Sequence, residues 1–119
     1  MAKTAIILGI TGLTGSQLAK ELLASQDYEK IIAFSRRKSG LKHPKLTEYV
    51  TNLLQLEQES ERFKADVVFC CIGTTKAKTP DKDLYHKIDY GIPVAAARLC
   101  MANNINTMIT ISAIGADAH

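Results

Sequence analysis

Leu8-Gly9-Ile10-Thr11-Gly12-Leu13-Thr14-Gly15-Ser16 is the stretch that decides the fold. Its three glycines follow an apolar run, Ala5 to Leu8, and open a segment in which Leu18, Leu22 and Leu23 recur at helical spacing. A strand that turns sharply into a helix, passes its backbone close to a pyrophosphate and packs the helix hard on the sheet needs residues without a Cβ. The helix start then offers free N–H groups and the positive end of its dipole to the phosphates. The competing reading, a glycine-rich turn with no ligand, carries less weight where a strand-like run precedes the glycines and a helical pattern follows them. Gly9, Thr11, Gly12, Leu13, Thr14 and Gly15 are therefore the expected phosphate-side contacts of a dinucleotide.

Outward from this turn the chain alternates strand and helix. Lys3 to Leu8 reads as strand one, Thr14 to about Ala24 as helix one, and Ile31 to Ser35 as strand two. Lys38 to Leu46, with Gly40 and Pro44, reads as a loop, followed by a short third strand near Glu48 to Thr51 and a charged helix over Leu54 to Phe63. Val67 to Ile72 is a continuous apolar run suited to a parallel strand buried on both faces. Lys76 to Lys82 is a polar loop. Asp83 to Asn104 is helical with a break near Gly91 and Pro93, and Thr107 to Ile114 is strand five. The alternation predicts an α/β fold with a doubly wound parallel sheet of order 3-2-1-4-5, as one domain over residues 1–119.

Composition fits such a domain: 119 residues, 46% hydrophobic and 23% charged, can bury one modest core. Met1-Ala2-Lys3 precedes an apolar run, but Gly9 and Gly12 interrupt it and no small-residue cleavage pattern follows. No run is long enough to cross a bilayer, so no membrane partner is expected. Cys70, Cys71 and Cys100 lack metal-ligand spacing and read as reduced core thiols, which places the protein in the cytoplasm.

The motif set resembles the extended and atypical short-chain dehydrogenase/reductase families. The G-x-x-G-x-x-G turn carries Thr11 before its middle glycine. Ala33-Phe34-Ser35-Arg36-Arg37 is similar to that group's second strand, Phe69-Cys70-Cys71-Ile72-Gly73-Thr74-Thr75 to its fourth strand and following loop, and Ile111-Ser112-Ala113-Ile114-Gly115-Ala116-Asp117 to its fifth. The nearest likeness is to the small NAD(P)-binding proteins of the Tat-interacting tumour-suppressor type. It implies a Rossmann fold and adds Cys71, Ile72, Gly73, Thr74 and Thr75 to the cofactor contacts. Asn52-Leu53 stands where relatives use an Asp and an apolar residue against adenine, with a turn asparagine nearly as good a reading.

The end of strand two sets the choice of cofactor. An Asp or Glu there would accept from ribose hydroxyls and repel a 2′-phosphate. This chain has Ser35, Arg36 and Arg37, and the guanidinium fork suits phosphate, so NADP is expected ahead of NAD. Lys38, Lys42, His43 and Lys45 continue the charge. The net +3 is nevertheless small and no aromatics are interleaved, which argues against a nucleic-acid partner.

Ser112 matches the family's catalytic serine through its S-x-x-G context, but the Tyr and Lys four apart that donate the proton are missing. The residues four after Tyr28, Tyr49, Tyr85 and Tyr90 are Ile32, Leu53, Asp89 and Val94. The expectation is a chain truncated after strand five and inactive alone. It is either the NADP(H)-binding portion of an oxidoreductase or a noncatalytic NADP-binding interaction module. A strand-five edge left bare would favour a homo-oligomer.

Overall fold

A computed structural model of the protein describes residues 2–72 and 91–111. Strands β1 (Lys3–Leu8), β2 (Tyr28–Ser35), β3 (Leu46–Val50), β4 (Val67–Cys70) and β5 (Thr107–Thr110) form one sheet in the order β3-β2-β1-β4-β5, with every neighbouring pair parallel. This is the expected order, that of a Rossmann-like fold. Helix α1 (Leu13–Ala24) joins β1 to β2, and helix α2 (Ile92–Ala102) precedes β5.

Side chains alternate across a strand, so a sheet covered on both faces must be apolar at consecutive positions. In β1, Ile6 and Leu8 join Phe34, Val68, Leu56, Phe63, Leu99 and Cys100 beneath α2 and the 53–63 segment. Ala5 and Ile7 face the other way, with Ile31, Ala33 and Phe69, against Ala19, Leu22 and Leu23 of α1. The register pairs Leu8 with both Phe34 and Cys70. The loops after β1, β2 and β4 therefore leave the sheet at one edge, where the fold binds ligands.

Several boundaries differ from the sequence expectation. β2 begins at Tyr28 rather than Ile31, because Lys3 pairs with Tyr28 and donates its N–H to the Asp27 carbonyl at 2.8 Å. The third strand spans Leu46–Val50, two residues earlier at its start than expected. The helix expected over Leu54 to Phe63 is a 3₁₀ segment, Leu53–Glu59, kinked at Gln55. Only Leu56 in it is buried, and the Asn103 amide donates to the Ser60 and Phe63 carbonyls at 3.0 and 2.6 Å, tying the chain beyond it to the end of α2. β4 ends at Cys70, although Cys71 N–H still donates to the Leu8 carbonyl at 2.9 Å.

Pro93 falls in the first turn of α2, where its missing N–H costs no intrahelical bond. At the other end Asn104 takes φ 58°, a left-handed conformation asparagine tolerates, and Ile105 N–H returns to the Cys100 carbonyl at 2.8 Å. That turn aims the chain into β5. The expected helix over residues 83–90 and the end of strand five, 112–114, lie outside the described residues.

Candidate functional site

The three glycines of the turn do different work. Gly9 has φ +90°, and a Cβ there would stand 2.9 Å from the Cys71 carbonyl oxygen and 3.0 Å from Ile72 Cδ1. A Cβ on Gly15 would collide with the Gly9 backbone, so α1 packs on the turn only because Gly15 has none. Both glycines are demanded by the protein's own fold. Gly12 is exposed, has an ordinary extended conformation (φ −77°, ψ 168°), and a Cβ there would meet nothing closer than the Gly9 oxygen at 3.5 Å. Nothing within the described residues requires a glycine at Gly12.

Gly12 is also the N-cap of α1, and it supplies no capping side chain. The first intrahelical bond runs from Ser16 N–H to the Gly12 carbonyl at 2.9 Å, which leaves the N–H groups of Leu13, Thr14 and Gly15 ahead of it. The first turn holds no acidic residue, so the positive end of the dipole is uncompensated. Leu13 projects from this turn 89% exposed, while Thr11 and Thr14 are half-buried.

At the end of β2, Ser35 is 2% exposed and its Oγ donates to the Arg37 carbonyl at 2.6 Å, folding the strand end into a turn. Glu48 on β3 secures the next part of the loop, its Oε1 accepting from Ser39 N–H at 2.9 Å, and Ser39 Oγ accepts from Leu41 N–H. Between this loop and the glycine turn lies a cavity of about 430 Å³ lined by Ile10, Thr11, Ser16, Lys20, Arg37, Lys38, Ser39 and Leu41. Arg37, an expected 2′-phosphate contact, is in its wall. Arg36 is exposed and outside its wall. Lys20 and Ser16 were not singled out by the sequence reading. The signal was their four-residue spacing on α1, which puts both on one helix face.

The basic run of the loop divides in three dimensions. Lys45 Nζ donates to the Leu23 and Ser25 carbonyls at 3.3 and 2.9 Å, capping the C-terminal end of α1. His43 Nδ1 accepts from Lys45 N–H at 3.1 Å. Only Arg37 and Lys38 of the run face the cavity.

Asn52 and Leu53 have structural tasks. Asn52 Oδ1 accepts from Leu54 N–H at 3.0 Å at the start of the 3₁₀ segment, and half-buried Leu53 packs on the core. Neither lines the cavity. Cys71 and Ile72, half-buried, close the underside of the glycine turn. Desolvation, reinforced by the neighbouring Cys70, pushes the Cys71 thiol up to about 11, and burial raises Cys70 and Cys100 as well. All three are free, protonated thiols near neutrality. Gly73, Thr74, Thr75 and Ser112, with Tyr85, Asp89 and Tyr90, lie outside the described residues. Among the described residues no group of His, Cys, Asp and Glu suits a metal ion, and no helix is long and apolar enough to cross a membrane.

Residues 4–95 match the family described as semialdehyde dehydrogenase, NAD binding domain. Among curated proteins, the chain is 33% identical to "Protein FMP52-1, mitochondrial" of Scheffersomyces stipitis, covering 98% of this chain and 53% of that protein. It is 32% identical to "Protein FMP52, mitochondrial" of Candida albicans (94% and 51%) and 30% identical to "Protein HTATIP2" of Rattus norvegicus (97% and 49%). The chain thus spans about half the length of the curated relatives it matches. In fold it is similar to the Bordetella bronchiseptica enzyme WbmH, solved with NAD+, at TM-score 0.74 and 23% identity over 91% of this chain and 38% of that one. It is also similar to the Lactococcus lactis oxidoreductase ylbE, at TM-score 0.74 and 21% identity over 93% and 48%. The resemblance drawn from the motifs holds in the match to HTATIP2. The cytoplasmic expectation does not hold: the Scheffersomyces and Candida relatives are named as mitochondrial, and reduced thiols do not discriminate between the two compartments.

Proposed function

The chain belongs to the family of the semialdehyde dehydrogenase NAD-binding domain and has a Rossmann-like sheet, and on that premise we propose that it is the NADP(H)-binding portion of a short-chain dehydrogenase/reductase-like oxidoreductase. The observation that carries the NADP(H) reading is the cavity beside the glycine turn, lined by Arg37, Lys38 and Lys20 with no carboxylate among its lining residues. A 2′-phosphate brings charge that these cations match, whereas a ribose hydroxyl does not. The uncapped start of α1 and the open space at Gly12 suit the pyrophosphate. When bound, the nicotinamide supplies hydride chemistry. This chain's own residues hold the adenosine end: Gly12, Leu13, Thr14 and Gly15 toward the pyrophosphate, Ser35 shaping the loop, and Arg37 toward the 2′-phosphate, with Arg36 next to it on the loop outside the cavity wall. Cys71, Ile72, Gly73, Thr74 and Thr75 belong to the nicotinamide side, and Asn52 and Leu53 to the adenine side, in the same reading.

Calorimetric titration with NADPH and NADH tests it. NADPH binds more tightly, and the preference falls in the variant carrying Arg36→Ala with Arg37→Ala. Equal affinities in the wild-type chain, or a preference untouched by both substitutions, refute it. A second reading, a noncatalytic NADP-binding interaction module, shares the dinucleotide site and differs in giving binding without turnover. Assembly between copies belongs to either reading, because β5 stands at one end of the described sheet with Ile109 exposed. Light scattering at micromolar concentration tests that, and a monomer refutes it. The mitochondrial names of the relatives make that organelle the compartment to probe by fractionation.

A further inference from the structure

We propose that Lys20 is a specificity-determining residue of this site, a cation that closes on the 2′-phosphate from the helix side, opposite Arg37 and Lys38. The proposal rests on the NADP(H) reading and adds a residue that neither the motifs nor the resemblance assigns. Ser16 and Lys20 stand four apart on α1 and line the cavity together, while Arg37, Lys38 and Ser39 line it from the loop after β2.

Nothing in the helix itself gives Lys20 a partner. The residues three and four positions away are Gln17, Ser16, Leu23 and Ala24, none of them a carboxylate. Among the described residues Lys20, Arg37 and Lys38 form no ion pair. The acid that holds the loop, Glu48, is engaged through Oε1 by the Ser39 N–H rather than by a cavity cation. Three uncompensated cations around one cavity repel one another, and an anion bound between them relieves that repulsion.

The helix wall carries its charge on a backbone fixed by packing. Lys20 rises from the middle of α1, beside Ala19 and close to Leu22 and Leu23, which are buried against the sheet. Its backbone position is set by the core, so the flexible stem alone must order on binding. A dinucleotide without the 2′-phosphate offers neutral hydroxyls in that place and gains nothing from an ammonium group. Lys20 therefore acts on the choice between cofactors and not on dinucleotide binding in general.

The test titrates NADPH and NADH into the wild-type chain, Lys20→Gln, Lys20→Arg and the double Arg36→Ala, Arg37→Ala variant. Lys20 is exposed and glutamine has similar helix propensity, so the folds are retained, which circular dichroism verifies. Lys20→Gln is expected to weaken NADPH about tenfold, the worth of one charge-assisted contact, and to leave NADH within about twofold. Lys20→Arg keeps the NADPH preference. An unchanged NADPH affinity in Lys20→Gln, or an equal loss for both cofactors, overturns the role of Lys20. If that happens while the double arginine variant loses its preference, the NADP(H) reading stands without Lys20. If the wild-type chain shows no preference, both fall together.

Discussion

Replacing Gly12 and Gly15 in turn by alanine separates what the ligand asks of the turn from what the fold asks. At Gly15 the new Cβ meets the Gly9 backbone, which cannot move aside as a side-chain tip would. Relief requires α1 to lift from the sheet, loosening Ala19, Leu22 and Leu23 against Ile7 and Ala33. The usual gain of about 1 kcal/mol for glycine to alanine within a helix is then outweighed by overpacking, for a net loss of about 2 kcal/mol. At Gly12 the backbone is already in a conformation any residue adopts, and the nearest atom, at 3.5 Å, is an ordinary contact. The cost there is that of alanine at an N-cap, below about 1 kcal/mol. In the proposed reading binding reverses the order, because a Gly12 Cβ would stand in the approach of the pyrophosphate and cost at least about a hundredfold in affinity, or about 2.7 kcal/mol. Urea unfolding followed by circular dichroism reads the first effect, with the midpoint of Gly15→Ala falling by about 1–2 M and that of Gly12→Ala by less than half as much. Calorimetric titration of NADPH reads the second. A folded Gly12→Ala that binds like wild type would refute the assignment of the turn to a pyrophosphate, and a Gly15→Ala of undiminished stability would refute the packing argument.

Stability should decline as pH rises from about 9 to 11. The folded state holds the Cys71 proton up to about 11 against an ordinary value of 9.0, so the unfolded chain ionises first, and Cys71→Ala should flatten this part of the unfolding profile. Alkylation of Cys71 in the folded chain should be slow at pH 8 and accelerate above pH 10; rapid labelling at pH 8, read by mass spectrometry, would show that the thiol is not desolvated. Asn52→Ala removes the Oδ1 acceptor for Leu54 N–H and should cost about 1 kcal/mol in urea unfolding; a neutral effect would mean that water replaces the cap at no cost. With NADPH and simple aldehydes the chain should turn over at background rate, because a missing proton donor costs roughly two to four orders of magnitude, and turnover abolished by Ser112→Ala would contradict this.

The glycine spacing, the apolar runs of β1 and β4 and the alternation of strand and helix were enough to determine a parallel sheet of order 3-2-1-4-5. Each of those signals is local, written in the periodicity of adjacent residues and in backbone that only glycine adopts. The basic end of β2 was legible for the same reason. Where contacts with distant residues compete with local pattern, the structure departs from the sequence expectation. Pairing with Lys3 extends β2 back to Tyr28, and the tie from Asn103 accompanies a kinked 3₁₀ turn where a helix was expected. Tertiary structure alone separated Gly12, which has room for a side chain, from Gly9 and Gly15, because the difference depends on where the Cys71 and Gly9 carbonyls lie in space. It alone set Lys45 apart from Arg37 and Lys38, sending one to the C-terminal end of α1 and the others to a cavity that Lys20 also reaches. Charge is visible residue by residue, but which charges share a cavity is fixed by sheet register and by the helix face turned toward it, and neither is written in any short stretch of chain.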